Sequence, residues 1–421
     1  MAKDKIIEVM AFGLEIGKLG YDIDQGKSYF QYHPDFLESG QYSELFPFIF
    51  KRTKQVQVFS EFQQDTFQGL PPMIADSLPD TFGNVIFQEW LNVRGIQKVT
   101  PLEQLAYVAD RGMGALEYKP VKKIPSATEI NIDEIISILE KVLKLKEDTK
   151  GQKLNELSLL NVFKIGTSAG GARPKILISE HKETGEIIAG DKETSENYNH
   201  YLVKLHLDEN DGYNKEKVEY AYYLLAQEAG IDMMPSKLID NKHFATLRYD
   251  RQNGKKQHVL TVTGLTGWDF KSQPQNSSYE NVFKVALALK VPHKDLQQLF
   301  KRMVFNLIFK NIDDHLKNHS FTYDKSINKW NLSPAYDLTY ALNPMLTFKS
   351  ISRALSINGK RSEITLKDVL TIAEEFAIKN PKGIIQEVES LIPRWVEIAK
   401  AQEIPTPIIE KIHQDLQYLL P

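Results

Sequence analysis

The order of strand-forming and helix-forming segments is the feature that most restricts the fold of this 421-residue chain. Residues 1 to about 65 are rich in strand formers, the middle mixes strands and helices, and the chain from about Tyr279 onward is mostly helical. Runs of strands followed by runs of helices predict an α+β architecture rather than a βαβ barrel. At roughly 150 residues per domain, the length predicts two to three domains.

The individual elements follow from periodicity and turn residues. In the head we predict strands over 6–16, 28–32, 46–50 and 55–59, separated by turns at Gly17, Gly20, Gly26 and Gly40. Thr100, Pro101 and Glu103 form a helix-start signature. Further helices are predicted over 80–91, 132–145 and 218–230, and further strands over 175–179, 200–207, 236–240, 244–249 and 259–264. A hairpin at 320–333 interrupts the helical tail.

Composition excludes several classes of site. The chain has no cysteine, which excludes disulfides, thiolate zinc sites, Fe–S clusters and a thiol nucleophile. With 52 Lys and Arg against 55 Asp and Glu, the net charge of -3 makes direct nucleic-acid binding unexpected. No apolar run is long enough for a signal peptide or a membrane span, so we expect a cytoplasmic protein without a membrane role.

A glycine-rich turn at 166–175 fits two chemistries. Gly166, Ser168 and Gly170 match G-x-S-x-G, the nucleophile elbow of serine hydrolases, which requires a helix after the serine. Here a predicted strand at 175–179 follows instead, which disfavours the hydrolase.

The other interpretation of this turn is a loop that holds phosphate through backbone N–H groups. Glycine lets such groups approach an anion closely. The turn matches neither a Walker A motif nor the G-x-G-x-x-G of kinases. The candidate nucleotide-binding residues are Ser168, Ala169, Gly170 and Gly171.

The strongest chemical signal is an acidic cluster at 313–337. Asp313 and Asn318 are five residues apart, as in the D-x-x-x-x-N of a kinase catalytic loop. The predicted hairpin could fold Asp337 back onto that loop, where it would complete a Mg²⁺ site with Asn318. The alternative is a polar helix end. His315 and His319 also form H-x-x-x-H, a candidate zinc pair for which no convincing third ligand is present.

Two further segments suit nucleotide binding. Lys204 lies in an apolar strand and requires an anionic partner, either a nucleotide phosphate or Glu219 on the following helix. Residues Leu247 to Tyr249 end a strand where a hinge would contact adenine through its backbone. Taken alone, an outward-pointing lysine and a simple strand end are equally good explanations.

Six segments together resemble the HipA family of serine/threonine kinase toxins. In the family's order, they are GMGALEYKP (112–120), SAGGARPK (168–175), YLVKL (201–205), LRYDR (247–251), DDHLKN (313–318) and LSPAYD (332–337). The resemblance covers nearly the whole chain. It implies a HipA-like fold similar to the phosphatidylinositol kinases. The expected domains are a β-rich N-terminal subdomain (1–122), an ATP-binding region (123–280) and a helical C-terminal lobe (281–421).

The resemblance also implies roles for individual residues. Asp313 would be the catalytic base, while Asn318 and Asp337 would hold Mg²⁺. ATP would be bound by the glycine loop and by Lys204, Leu247, Tyr249 and His315. Ser168 matches the serine that such kinases autophosphorylate, and its neighbour Thr167 is a second candidate acceptor. Leu247 stands where the family often has glutamate, which leaves backbone contacts to adenine plausible.

The leading hypothesis is therefore an ATP- and Mg²⁺-dependent protein serine/threonine kinase. Family members phosphorylate proteins of translation, including an aminoacyl-tRNA synthetase, and are neutralised by a small DNA-binding, HipB-like antitoxin. The resemblance implies both kinds of partner here, with any DNA contact made through the antitoxin. The alternative is a catalytically silent kinase fold that serves as a partner in a repressor complex. A serine hydrolase at Ser168 is the third hypothesis.

Overall fold

The computed structural model describes residues 6–79, 99–121, 174–190, 195–207, 212–344 and 351–420, with isolated positions 91, 95, 132, 135 and 136. The chain forms two compact units. The first unit contains Met1–Leu207, Ala245–Leu260 and Gly264–Gly267, and the second contains Asp208–Phe244, Thr261–Thr263 and Trp268–Pro421. The glycine turn with Ser168 and nearly all of the predicted helices at 80–91 and 132–145 lie outside the described residues. The division into three domains stays a prediction.

A five-stranded antiparallel sheet forms the head of the first unit, with strand order β4-β3-β2-β1-β5. Its strands are β1 (Ile6–Ala11), β2 (Leu14–Asp22), β3 (Lys27–Tyr32), β4 (Gln57–Phe59) and β5 (Leu116–Lys119). Its helices are α1 (Pro34–Ser39), α2 (Pro72–Ala75) and α3 (Pro101–Val108). The predicted start of α3 is confirmed, because Thr100 and Glu103 form a reciprocal capping box.

Three predictions in the head are wrong in detail. Residues 6–16 form a hairpin rather than one strand, since Phe12 and Gly13 take positive φ between β1 and β2. Gly17 and Gly20 lie inside β2 rather than in turns. A Cβ at Gly17 would lie 2.3 Å from the Gln31 carbonyl oxygen, so close strand packing explains this glycine.

The third error concerns residues 46–50, which form bends and turns instead of a strand. Phe46 and Phe50 stack with ring centroids 4.6 Å apart, and Phe50 packs edge-on against Phe30 of β3 at 4.7 Å. These side chains are apolar because they fill the core beneath the sheet, which a periodicity argument cannot distinguish from strand burial.

A second sheet of the first unit carries the nucleotide-binding candidates. Strand β6 (Lys175–His181) pairs antiparallel with both β7 (Ile187–Ala189) and β8 (Tyr198–Lys204). The next strand beside β8 is β10 (His243–Leu247), whose last three residues belong to this unit. A short hairpin of β11 (Arg251–Gln252) and β12 (Lys255–Lys256) precedes β13 (His258–Thr261). The strand predicted to reach Gly264 ends at Thr261 and continues as helix α5 (Val262–Thr266).

The second unit is mainly helical, as predicted. It contains strand β9 (Ser236–Ile239), the predicted hairpin of β14 (Ser320–Asp324) and β15 (Lys329–Leu332), and helices α4 (Lys215–Glu228), α6 (Tyr279–Ala288), α7 (His293–Ile308), α8 (Leu366–Glu375), α9 (Pro381–Glu389), α10 (Ile392–Ala401) and α11 (Thr406–Asp415). The ring of Tyr222 in α4 meets Trp395 of α10 at 5.4 Å and Phe305 of α7 at 6.2 Å. Helix α10 therefore packs on α4, and α4 packs on α7, the helix that precedes Asp313 in the chain.

Within the part of the chain that the structure describes, we find no helix of the length and apolarity needed to cross a membrane.

Candidate functional site

The acidic loop, residues 309–319, carries Asp313 and Asn318 and lies in the second unit, between α7 and the β14–β15 hairpin. Helix α7 ends at Ile308, and Lys310 takes a left-handed backbone conformation (φ 55°) that turns the chain out of the helix. The loop closes in a 3₁₀ turn at Leu316–Asn318. After the hairpin, Ala335 donates its N–H to the Asp232 carbonyl at 2.7 Å and so fixes the segment that carries Asp337.

Asn318 folds its side chain back over the loop. Its Nδ2 donates to the backbone carbonyl of Asp313 at 2.8 Å, which leaves Oδ1 as the acceptor end of the amide. Asn318 and Asp337 line one small cavity, and Asp337 takes a left-handed backbone conformation (φ 57°) there. The structure thus brings together the two oxygen donors that the sequence assigned to Mg²⁺.

Burial and neighbouring charges shift the pKa of Asp313. Partial desolvation, and then the neighbouring carboxylates of Asp337 and Asp314, raise the pKa of Asp313, while His315 opposes this rise. Burial likewise lowers the pKa of His315, whose ring stacks on Phe270 with centroids 4.4 Å apart. A carboxylate with a raised pKa beside a second carboxylate suits a proton acceptor next to a cation site.

The second aspartate of the motif has a different role. Asp314 is 1% exposed and accepts hydrogen bonds from the Tyr279 hydroxyl and from Arg353 Nη2, each at 2.5 Å. Arg353 is buried as well, at 4% exposure, so the two form a buried ion pair. Beside Arg353, the N–H of Ala354 donates to the Ile312 carbonyl at 2.7 Å. These contacts hold the backbone on both sides of Asp313.

The same polar network reaches the segment of Asp337. Asn306 Nδ2 donates to the Tyr279 hydroxyl at 3.0 Å, and Asn311 Nδ2 donates to Asn306 Oδ1 at 3.1 Å. Asn311 Nδ2 also lies 3.1 Å from the Asp337 carbonyl oxygen, which accepts from it. We call Tyr279, Asn306, Asn311, Asp314 and Arg353 the loop network. Sequence reasoning missed its function, because these residues converge only in three dimensions; Asn306, a polar residue in an apolar helix, was the available signal.

The donor set fits Mg²⁺ better than zinc. Among the described residues no group of three His, Asp or Glu side chains is placed to hold a metal ion, so the pair of His315 and His319 gains no third ligand. Burial lowers the pKa of His319 to about 4, and its ring packs edge-on against Tyr279. Mg²⁺ usually takes one or two protein oxygens and completes its shell with water and phosphate, which suits Asn318 and Asp337.

In the first unit, Lys204 at the end of β8 lies beside a second buried lysine, which belongs to the neighbouring strand β6. Lys204 is 6% exposed and lies directly opposite Lys175 of β6, which is 5% exposed. Like charges at directly opposite positions of a sheet repel each other, and burial strengthens that repulsion. Lys175 therefore lies at the same end of the two strands as Lys204, for which the sequence predicts a phosphate contact. Lys175 is a residue that sequence reasoning did not assign, although its strand resembles that of Lys204.

The remaining candidates are placed as follows. Leu247 and Tyr249 are half-buried at the end of β10, and the Arg248 N–H between them donates to the His200 carbonyl of β8 at 2.8 Å. Glu219 is buried in α4, and its pairing with Lys204 stays a prediction. Ser168, Ala169, Gly170, Gly171 and Thr167 lie outside the described residues. Strand β6 begins at Lys175, so the chain after the turn is a strand, as the argument against the hydrolase requires.

Two known proteins show informative similarity. HipA of Shewanella oneidensis MR-1, solved as a complex of its toxin–antitoxin system with HipB and operator DNA, has 16% identity, a TM-score of 0.67 and 97% coverage of both chains. This likeness confirms the predicted α+β, HipA-like fold. The Sinorhizobium fredii protein Y4dM, provisionally named a kinase, is 22% identical over 227 residues, which are 50% of this chain and 54% of Y4dM. This chain thus spans about half the length of the curated relative that it matches.

The sequence also matches two domain models of one family, one after the other along the chain. Residues 7–119 match the HipA N-terminal domain, and residues 167–396 match the HipA-like C-terminal domain. The second match covers more than half of the 421 residues, and it includes the acidic loop and the buried lysines. The chain therefore belongs to the HipA family, as its six motifs predicted.

Proposed function

We propose that this protein is an ATP- and Mg²⁺-dependent protein serine/threonine kinase of the HipA toxin type. The observation that carries the proposal is the acidic loop. In this loop the charge of Asp337 acts on Asp313, and the Asn318 amide is turned so that Oδ1 is left as an acceptor. The loop network supports the backbone next to Asp313. Family membership and the HipA-like fold support the same reaction class.

In this mechanism the substrate hydroxyl attacks the γ-phosphorus of ATP as the bond to the β–γ bridging oxygen breaks. Asp313 accepts the hydroxyl proton, and ADP leaves with the bridging oxygen. Asn318 Oδ1 and the Asp337 carboxylate would hold Mg²⁺, which neutralises phosphate charge when bound. Lys204, with Lys175 opposite it in the sheet, would bind the ATP phosphates. His315, the glycine loop from Ser168 to Gly171 and the backbone from Leu247 to Tyr249 would complete the ATP site.

The same proposal includes the protein substrate, the autophosphorylation site and the partner protein. The substrate would be a protein of translation, of the aminoacyl-tRNA synthetase class, and Ser168 would be the autophosphorylation site. The Shewanella HipA was solved with HipB and operator DNA, which supports a small DNA-binding antitoxin as the partner here. The net charge of -3 agrees with DNA contact through that partner rather than by this chain.

Metal removal tests the proposal directly. The full chain incubated with γ-labelled ATP and Mg²⁺ should incorporate label, and EDTA should abolish the incorporation because phosphate charge is no longer neutralised. ATP binding is measured separately by calorimetry. Bound ATP without any label would favour the silent partner of a repressor complex, and undiminished labelling in EDTA would contradict the metal assignment.

Lys175 offers a second test, on the nucleotide side. If it binds phosphate beside Lys204, Lys175→Met should weaken ATP binding by about 10- to 100-fold, the range for loss of a charged hydrogen bond. The matched control is Lys182→Met, which removes an exposed lysine in the turn after β6. Equal ATP affinity for the Lys175 variant and the wild type would refute this role.

A further inference from the structure

The motif GMGALEYKP and the last two residues of LRYDR, Asp250 and Arg251, have no role in the function proposed above, and the structure joins them. The glycines of residues 112–114 belong to the segment that matches the HipA N-terminal domain, and residues 248–251 belong to the segment that matches the C-terminal domain. Both lie in the first unit. We propose that Asp250 and Arg251 form a hinge latch, which ties the N-terminal glycine loop to the adenine-binding segment and sets that segment's geometry. The inference rests on the proposed function, since it assumes that Leu247 to Tyr249 contact ATP.

Asp250 is the centre of the latch. Its side chain is fully buried and accepts from Arg248 Nε at 2.9 Å and Nη2 at 2.8 Å, a two-point contact. The same carboxylate accepts from the Gly114 N–H at 3.0 Å and from Arg251 Nη1 at 2.5 Å. Burial alone would raise the pKa of Asp250, but the two guanidinium groups and the Gly114 N–H outweigh it and hold that pKa well below its usual value.

Arg251 makes the return connection. Its Nη2 donates to the Gly112 carbonyl at 2.9 Å, and its Nη1 lies 3.4 Å from the Gly114 carbonyl. One guanidinium therefore holds both carbonyls of the glycine loop while it pairs with Asp250. Only the planar, multi-donor arginine head can make these contacts together.

Gly114 fits this contact for steric reasons. Its φ of 77° disfavours any residue with a side chain, and a Cβ there would lie 3.2 Å from both the N and the O of Val259 in β13. The glycine allows the loop backbone to approach the carboxylate of Asp250 closely. This explains a motif for which the sequence alone indicated no chemistry.

Arg248 connects the latch to the adenine-binding segment, residues 247–249. Arg248, which holds Asp250, also donates its backbone N–H to the His200 carbonyl of β8, the strand that carries Lys204. Movement of Asp250 would therefore displace the backbone between Leu247 and Tyr249 relative to Lys204. A buried cluster of three charges adds little net stability compared with apolar packing, so its use here points to geometry rather than stability.

The experiment compares Arg251→Lys with the wild-type full chain. The lysine retains the charge beside Asp250 but cannot hold both glycine-loop carbonyls. We expect the KM for ATP and the Kd of a non-hydrolysable ATP analogue to rise by about tenfold, with kcat changed less than about twofold. The control is Glu38→Gln, which removes an exposed ion pair with Lys54 elsewhere in the first unit. It should leave both constants unchanged.

The outcomes separate the two proposals. If the wild type binds no ATP analogue, the proposed function is refuted, and the latch is refuted with it because it assumes ATP contact by residues 247–249. If it binds, but Arg251→Lys has wild-type KM and Kd, the latch is overturned. A fall in kcat together with a lowered melting temperature, without a change in Kd, would also overturn it, because the cluster would then only support the fold. Asp250→Asn removes the charge at the centre of the latch and should raise the Kd more than Arg251→Lys does. If Asp250→Asn does not fold, Arg251→Lys still provides the test.

Discussion

Asp313→Asn is expected to lower phosphoryl transfer by about 10²- to 10⁴-fold, the usual contribution of a general base. The substitution preserves size and removes the proton acceptor. The fold should remain intact, because the loop uses the backbone carbonyl of Asp313, which accepts from Asn318, and the side chain is exposed. The measurement is the single-turnover rate of label transfer from γ-labelled ATP, with the Kd for ATP determined in parallel.

A matched Asp→Asn substitution controls for nonspecific effects. Asp324 lies at the tip of the β14–β15 hairpin, where its carboxylate accepts from the Ser326 N–H and hydroxyl. Asp324→Asn should transfer phosphate at the wild-type rate. If Asp313→Asn also transferred at that rate with normal ATP affinity, Asp313 could not be the base, and the assignment of the acidic loop would have to be abandoned.

The sequence predicted the donors of the candidate site but not their support. The D-x-x-x-x-N spacing and the hairpin that returns Asp337 are local features, readable from short windows of sequence. The support comes from Tyr279, Arg353 and Asn306, which are separated from Asp314 by between 8 and 39 residues. Contacts at such separations leave no period or short motif in a single sequence.

The fold shows the same division between local and distant causes. The capping box at Thr100 was predictable because its donors and acceptors are three residues apart. Gly17 was misassigned because its cause, the Gln31 carbonyl, lies on the neighbouring strand. The aromatic residues at 46–50 were misassigned because an apolar run shows burial without showing backbone conformation. Both errors came from contacts between residues that are distant in the sequence.

The second large effect concerns the buried ion pair of the loop network. Arg353→Met should lower the free energy of unfolding by about 3–5 kcal/mol, because it leaves the Asp314 carboxylate buried without its cation. That is a large fraction of the roughly 5–15 kcal/mol that stabilises a typical protein. The measurement is chemical denaturation of the full chain. The control is Arg394→Met at an exposed arginine that pairs with Glu228, where a clearly smaller loss is expected.

A double variant separates stability from positioning. Replacing both members of the pair, as in Asp314→Leu with Arg353→Met, removes the uncompensated charge and should restore much of the lost stability. Tyr279 would still lose the carboxylate to which it donates, and the hydrogen bond between positions 353 and 314, next to the backbone of Asp313, would be absent. We therefore expect stability to recover while phosphoryl transfer stays low. Recovery of both would show that the pair only stabilises the fold, and the loop would then hold Asp313 through its backbone contacts alone.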